Sequence, residues 1–217
     1  MTKKPQLPET GKHRREVKAR HYRMRITETR LAALAILLAL LFLQSRWGTG
    51  GWQPQTLKWL GYPLLVAGVL GRTWCAAYIG GRKSRIIVDR GPYSVTRNPL
   101  YLFSFIGLTG IGLSTGMVTA ALTTALLFML YYRGIVASEE TYLAERQGQA
   151  YADYRDRVPR WIPDFSLWRE AEEPMGMPRS VYLAARDSAA FLLAPPLFAL
   201  IGALQDWGVL PVLLRLP

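Results

Sequence analysis

An all-α, polytopic transmembrane protein of about five spans is the fold class the sequence predicts, on three observations. Half of the 217 residues are hydrophobic although the formal charge is +12. The apolar residues gather into five runs near the roughly 20 helical residues that cross a ~30 Å hydrocarbon core. The charges gather between those runs. A soluble helical bundle would carry a polar stripe along each helix, and Leu31 to Leu43 has none.

Residues 1–30 form a basic tail, with Lys3, Lys4, Lys12, Arg14, Arg15, Lys18, Arg20, Arg23, Arg25 and Arg30 against Glu9, Glu16 and Glu28. Such a segment beside a membrane is drawn to anionic headgroups and is retained on the cytoplasmic side. That placement accounts for the positive charge without a nucleic-acid partner. The pentapeptide Leu7-Pro8-Glu9-Thr10-Gly11 spells a sorting signal at the wrong end of the chain, so it is read as coincidence. The first run, Leu31 to Trp47, has a long basic lead and no small-x-small cleavage site after it, which makes it an anchor. With the second run, Leu57 to Ile79, it forms a first helical pair over residues 31–79.

A central unit follows over residues 80–165. Its leading loop, Gly80 to Tyr93, reads as irregular chain with a short extended piece at Ile86 to Val88 and a turn at Gly91-Pro92. The third run is Tyr101 to Ser114 and the fourth Met117 to Ala137, with only Thr115-Gly116 between them, so the two are antiparallel neighbours. Gly107, Gly110, Gly112 and Gly116 superficially suggest a nucleotide loop. No strand-turn-helix context surrounds them, and small residues allowing close helix approach are the better reading. Glu139 to Arg157 is rich in helix formers and extends the fourth span into the cytoplasm until Val158-Pro159 ends it.

The last region, 166–217, is an extension whose fifth run, Ala189 to Leu204, is interrupted by Pro195-Pro196. Alternation of loop charge predicts an in, out, in, out, in order, with both charged loops cytoplasmic and Gly208 to Pro217 outside or in the outer interface. Cys75 is alone, and His13 and His21 both lie in the basic tail, so no metal is expected. Apart from Arg72 no charge lies well inside a span, which disfavours a transporter; Arg72 is expected to face a cavity. Nothing in the pattern specifies an oligomeric state.

Two polar segments flank the central spans. The first is Gly91-Pro92-Tyr93 leading to Arg97-Asn98-Pro99-Leu100-Tyr101; the second is Glu139-Glu140-Thr141-Tyr142-Leu143 with Gly148, Tyr151, Tyr154, Val158-Pro159 and Ile162-Pro163. In order and spacing the pair resembles the isoprenylcysteine carboxyl methyltransferase and phospholipid methyltransferase superfamily, over about residues 85–163. The resemblance implies an S-adenosyl-L-methionine-dependent methyltransferase whose acceptor is a prenylcysteine-like carboxylate or a lipid headgroup. It makes 80–165 the catalytic unit, with a cytoplasmic cofactor pocket over helices three and four. It implies catalytic roles for Arg97, Asn98 and Glu139, and cofactor contacts from these three and Arg85, Val88, Tyr93, Pro99, Tyr101, Glu140, Tyr151 and Tyr154.

The chemistry agrees with that implication. The cofactor is a zwitterionic amino acid joined through a sulfonium to adenosine, so its site needs a cation, an anion and a flat apolar slot. Arg97, the two glutamates and the tyrosines supply these. Two departures matter. The residue after the motif arginine is usually histidine and here is Asn98, which hydrogen-bonds but does not titrate. The prenylcysteine enzymes also place a substrate arginine where this chain has Ile135, leaving Arg133 as the nearest candidate for the acceptor. The competing reading is a non-catalytic binding or assembly module that keeps the fold.

Overall fold

The computed structural model describes residues 35–36, 38–80, 86–170 and 178–217. The basic tail, the start of the first run, Arg82, Lys83, Arg85 and Pro174 therefore lie outside the described residues. Almost all of the regular structure is helical. Residues 38–40 are helical, but the chain turns at Leu41 and becomes a strand, β1, at Leu43–Ser45. The first run was expected to stay helical to Trp47. It stops earlier because β1 pairs in parallel with β2, Leu214–Leu216, in the register Leu43↔Leu214. That pairing satisfies backbone groups of a segment whose Gln44 and Ser45 are buried.

Helix α1, Trp52–Ile79, has 28 residues and is about 42 Å long at ~1.5 Å per residue. It contains Pro63, which withholds one backbone donor without ending the helix. After it comes the leading loop, which carries no strand among its described residues: residues 87–89 are irregular, so the extended piece expected at Ile86 to Val88 pairs with nothing in a sheet. Gly91 takes φ +56° and starts a single helical turn, α2, Pro92–Val95. A Cβ on Gly91 would lie 2.2 Å from the Tyr78 ring, so the turn needs glycine for space as well as for its φ.

Helix α3, Pro99–Ser114, has 16 residues and reaches only about 24 Å. Thr115 and Gly116 reverse the chain into α4, Val118–Gln147, whose 30 residues outreach any hydrocarbon core. The continuous exit helix expected to Arg157 is broken at Gly148, where φ +54° ends α4. A new helix, α5, Gln149–Arg157, then folds back, and Val158-Pro159 ends it as the proline predicts. The extension forms α6, Pro178–Ala189, a 3-10 turn at Ala190–Leu193, and α7, Ala194–Asp206. The turn tightens there because Pro195 and Pro196 offer no N–H to the carbonyls one α-helical turn back. Among the described residues, two helical segments, Val118–Gln147 and Arg179–Asp206, are long and apolar enough to cross a membrane by length and composition.

Glycines let α1 and α3 meet at backbone distance. A Cβ on Gly68 would sit 2.4 Å from Gly107 Cα, and one on Gly61 2.7 Å from the Gly110 carbonyl. Gly112 lies against Ala121 of α4 in the same way. The glycine run thus packs helices against one another. Arg72 was expected to face a cavity; instead it donates to Ser188 Oγ at 2.9 Å and to Ser104 Oγ, with its guanidinium 5.7 Å from the Phe191 ring. It ties α1, α3 and the extension together.

Candidate functional site

Because α3 and α4 are joined by so short a turn, the N-terminus of α3 and the cytoplasmically predicted half of α4 return to the same end of the bundle. Asn98 precedes α3, and Glu139 and Glu140 lie on α4. Between them is a cavity of about 90 Å³ lined by Val88, Tyr93, Arg97, Asn98, Tyr101, Glu139, Glu140, Tyr151 and Tyr154, with apolar walls from Ile79, Ile86, Ile87, Leu100 and Leu143. Of the residues expected to contact cofactor, Pro99 is not on this wall; it is fully buried at the first position of α3, where its missing N–H costs nothing. Arg85 lies outside the described residues.

The polar groups are held in a connected set. Arg97 Nε lies 3.4 Å from Glu140 Oε1, and Arg97 Nη1 donates to the Arg155 carbonyl at 2.8 Å. Asn98 Nδ2 donates to Glu140 Oε1 at 3.0 Å and to the Arg160 carbonyl at 3.3 Å. Tyr101 Oη donates to Glu139 Oε2 at 2.8 Å. Arg160 Nη2, 3.1 Å from Glu140 Oε2, makes a second cation on that carboxylate. Sequence reasoning missed Arg160. Its only signal was its place directly after Val158-Pro159, and charge count alone could not show that it turns inward.

Residues 159–164 are stitched across the turn α2: Arg97 N–H donates to the Pro159 carbonyl at 2.9 Å and Asp164 N–H to the Val95 carbonyl at 2.9 Å. Asp89 of the leading loop is gripped by Arg157 at 2.8 Å, with Arg90 and Arg169 within 4 Å. The break at Gly148 makes this possible, since a straight helix would carry Tyr151 and Tyr154 away from the mouth. Both are instead buried with Val158 against Ile87 and Leu143. Tyr154 Oη donates to the Tyr93 carbonyl at 2.8 Å. Burial pushes the Tyr93 and Tyr154 phenols well above their usual range and that of Tyr151, with Glu140 adding to the effect, to about 12. All three are neutral donors rather than bases at ordinary pH.

Three buried polar atoms around the cavity have no hydrogen-bond partner: Tyr93 Oη and the Nε atoms of Arg97 and Arg160. Arg97 Nε faces the Glu140 carboxylate at 3.4 Å, so of the three it is Tyr93 Oη, on the cavity wall, whose unmade bond is open to a ligand. Beside the cavity an apolar groove runs between α3, α4 and residues 161–163, lined by Leu102, Phe105, Phe128, Met129, Tyr132 and Trp161. Arg133 stands on this groove and not in the polar cavity. The rings of Tyr132 and Tyr101, 5.5 Å apart, connect the two.

A family model described as phospholipid methyltransferase matches residues 58–150. The nickel-cobalt-cadmium resistance protein NccN of Alcaligenes xylosoxydans xylosoxydans is 36% identical over 177 residues, 78% of this chain and 79% of that protein. The cobalt-zinc-cadmium resistance protein CzcN of Cupriavidus metallidurans is 37% identical over 147 residues, 68% and 67% of the two chains. The protein-S-isoprenylcysteine O-methyltransferase of Schizosaccharomyces pombe is 31% identical over 81 residues, 37% of this chain and 34% of its own length. The chain belongs to the isoprenylcysteine carboxyl methyltransferase and phospholipid methyltransferase superfamily. No solved structure matches it. Within this superfamily member the matched stretch takes in most of α1, upstream of the motifs, while Tyr151, Tyr154 and Val158-Pro159 lie beyond its end.

Proposed function

We propose that this protein is an integral membrane methyltransferase that uses S-adenosyl-L-methionine and acts on a lipophilic acceptor, a prenylcysteine-like carboxylate or a lipid headgroup. The observation that supports the reading best is the convergence of Arg97, Glu139 and Glu140 at one end of the α3–α4 hairpin, beside the buried Tyr93 Oη, which has no hydrogen-bond partner. In this reading the hairpin mouth, the basic tail and the exit helix are cytoplasmic, and five segments meet the membrane: the first run, α1, α3, α4 and the α6–α7 pair.

The donor set fits the cofactor. Bound there, it supplies an electrophilic methyl carbon on a positively charged sulfur. Arg97 and Arg160 offer guanidinium donors to its carboxylate, and Glu139 offers a carboxylate to its ammonium or ribose hydroxyls. Tyr93, Tyr151 and Tyr154 provide aromatic faces. The cavity of about 90 Å³ is smaller than a nucleoside-sized ligand needs, so the site has to widen to admit one. Asn98 orients by hydrogen bonding and supplies no base at its position. The chain's main task is then to hold acceptor and methyl donor in line and to keep water away. The apolar groove beside the cavity suits an acyl or prenyl chain, which gains about 0.8 kcal/mol per buried CH₂, with Arg133 near its headgroup.

Equilibrium binding of S-adenosylhomocysteine to the purified full chain tests the reading. Binding that drops sharply in Glu139→Ala supports it; no binding at millimolar ligand ends it. Labelled methyl donor incubated with total membrane lipid then identifies the acceptor class.

A second reading rests on the names of the two relatives that cover most of the chain: a part in resistance to nickel, cobalt, zinc or cadmium. Either methylation of a membrane component or a non-catalytic assembly role would serve it. Complementation of a metal-sensitive deletion strain separates them. Rescue by Glu139→Ala as good as by the natural chain favours the assembly module, and loss of rescue favours methyl transfer.

A further inference from the structure

At the opposite end of the bundle, where Thr115 and Met117 close the α3–α4 turn, lies a second cavity of about 280 Å³. That is just below the ~300 Å³ at which small-ligand sites begin. Its wall is polar in an otherwise apolar region: Gln44, Ser45 and Gln205 are 6%, 5% and 7% exposed. Gln205 Nε2 is occupied by the Leu40, Leu41 and Leu43 carbonyls and so holds the chain leading into β1. Asp206 accepts one bond on each oxygen, from Gln44 Nε2 at 3.0 Å and Thr49 Oγ1 at 2.5 Å. A carboxylate has about four acceptor positions, so each oxygen keeps one to spare.

Two observations point to a missing partner. Ser45 Oγ is buried on this wall and makes no hydrogen bond. Lys58 lines the same cavity as Asp206, yet no ion pair joins it to Asp206 or to any other described residue. A cation and an anion that face one space without meeting suit a ligand of the opposite polarity at each end. Trp52, Trp59 and Trp207, 74%, 72% and 74% exposed, stand at this same end, as tryptophans do at the level of lipid headgroups.

We propose that this cavity binds the headgroup of a zwitterionic phospholipid with a primary amine, its phosphate on Lys58 and Ser45 and its ammonium on Asp206. A primary ammonium donates hydrogen bonds to the spare Asp206 acceptors, which a quaternary one does not. The inference rests on membrane placement and not on methyl transfer, and the site is separated from the candidate methyl-transfer cavity by the length of α3.

The test is native mass spectrometry of the delipidated full chain in detergent, titrated with phosphatidylethanolamine, phosphatidylglycerol or phosphatidylcholine. At least fivefold tighter binding of the ethanolamine lipid is expected. Asp206→Asn should bring it to the phosphatidylglycerol level, and Lys58→Met should weaken both. Ser45→Ala should weaken binding severalfold without lowering the melting temperature of the lipid-free protein, since its hydroxyl has no partner to lose; this arm guards against variants that fold poorly. One of any two bound lipids should be lost, because the groove beside Tyr132 is untouched. Equal binding of the three lipids, a preference that survives Asp206→Asn and Lys58→Met, or equally tight binding of free O-phosphoethanolamine would overturn the proposal.

Discussion

Tyr101 and Glu139, 38 residues apart, are joined by a 2.8 Å hydrogen bond from the phenol to the carboxylate, across the two helices that flank the cavity. The bond restrains the Glu139 rotamer on the wall of the cavity. Tyr101→Phe is therefore expected to lower S-adenosylhomocysteine affinity by about 1 kcal/mol, roughly fivefold. Glu139→Ala removes a charged acceptor and should cost about 2 kcal/mol, roughly thirtyfold. Calorimetric titration of both variants checks the ranking, and equal losses would contradict it.

Glu140 is the shared carboxylate of Arg97 and Arg160, with the Glu140 and Arg97 side chains 14% and 11% exposed. Glu140→Gln leaves two guanidiniums facing each other with no counter-charge. A fully buried pair broken on one side costs about 3–5 kcal/mol, and partial exposure here brings the expected loss to about 2 kcal/mol. The melting temperature in detergent reports it. If Glu140→Gln melts like the natural chain, the bridge does not hold residues 159–164 in place.

Gly68→Ala would put a methyl group 2.4 Å from Gly107 Cα, and backbone atoms on both sides cannot give way. Helices α1 and α3 would have to separate along their whole contact. The expected destabilisation is about 3 kcal/mol, the upper end for an overpacked core. Gly134→Ala is the control, because nothing lies within 4 Å of its added Cβ. It should be neutral or slightly stabilising in the same thermal assay.

The three buried phenols set an alkaline limit. Their folded-state values are raised above the ordinary 10, to about 12 for Tyr151. Below pH 10 these groups are protonated in folded and unfolded chains alike, so their contribution is constant. From about pH 10 to 12 the unfolded chain releases these protons while the folded chain keeps them, and stability falls as pH rises. Phenolate absorbance should show a late-titrating fraction that shrinks in Tyr93→Phe, Tyr151→Phe and Tyr154→Phe. Uniform titration near pH 10 would contradict their burial.

Much of this was legible in the order of residues. Hydropathy marked α1, α3, α4 and α7 because a helix in lipid must be apolar on every side, a property that needs no neighbours to read. The motif spacing singled out Arg97, Asn98, Tyr101, Glu139 and Glu140, and the short Thr115-Gly116 turn dictated that they return to one end. The first run and the exit helix were misread at their ends, since β1 exists only through its distant partner β2 and Gly148 turns the chain only by taking a left-handed φ that no pattern announces.

What the sequence by itself determined, then, is the long apolar helices, the family and the two polar segments, all consequences of local composition and spacing. What only the tertiary structure decided is which atoms meet. Arg160 turns inward onto Glu140, Arg133 faces the apolar groove, and Arg72 is held by serines on two other helices. The reason is that a long charged side chain has several solvents to choose among at a membrane surface, and its choice depends on partners brought near by packing rather than on its neighbours in the chain.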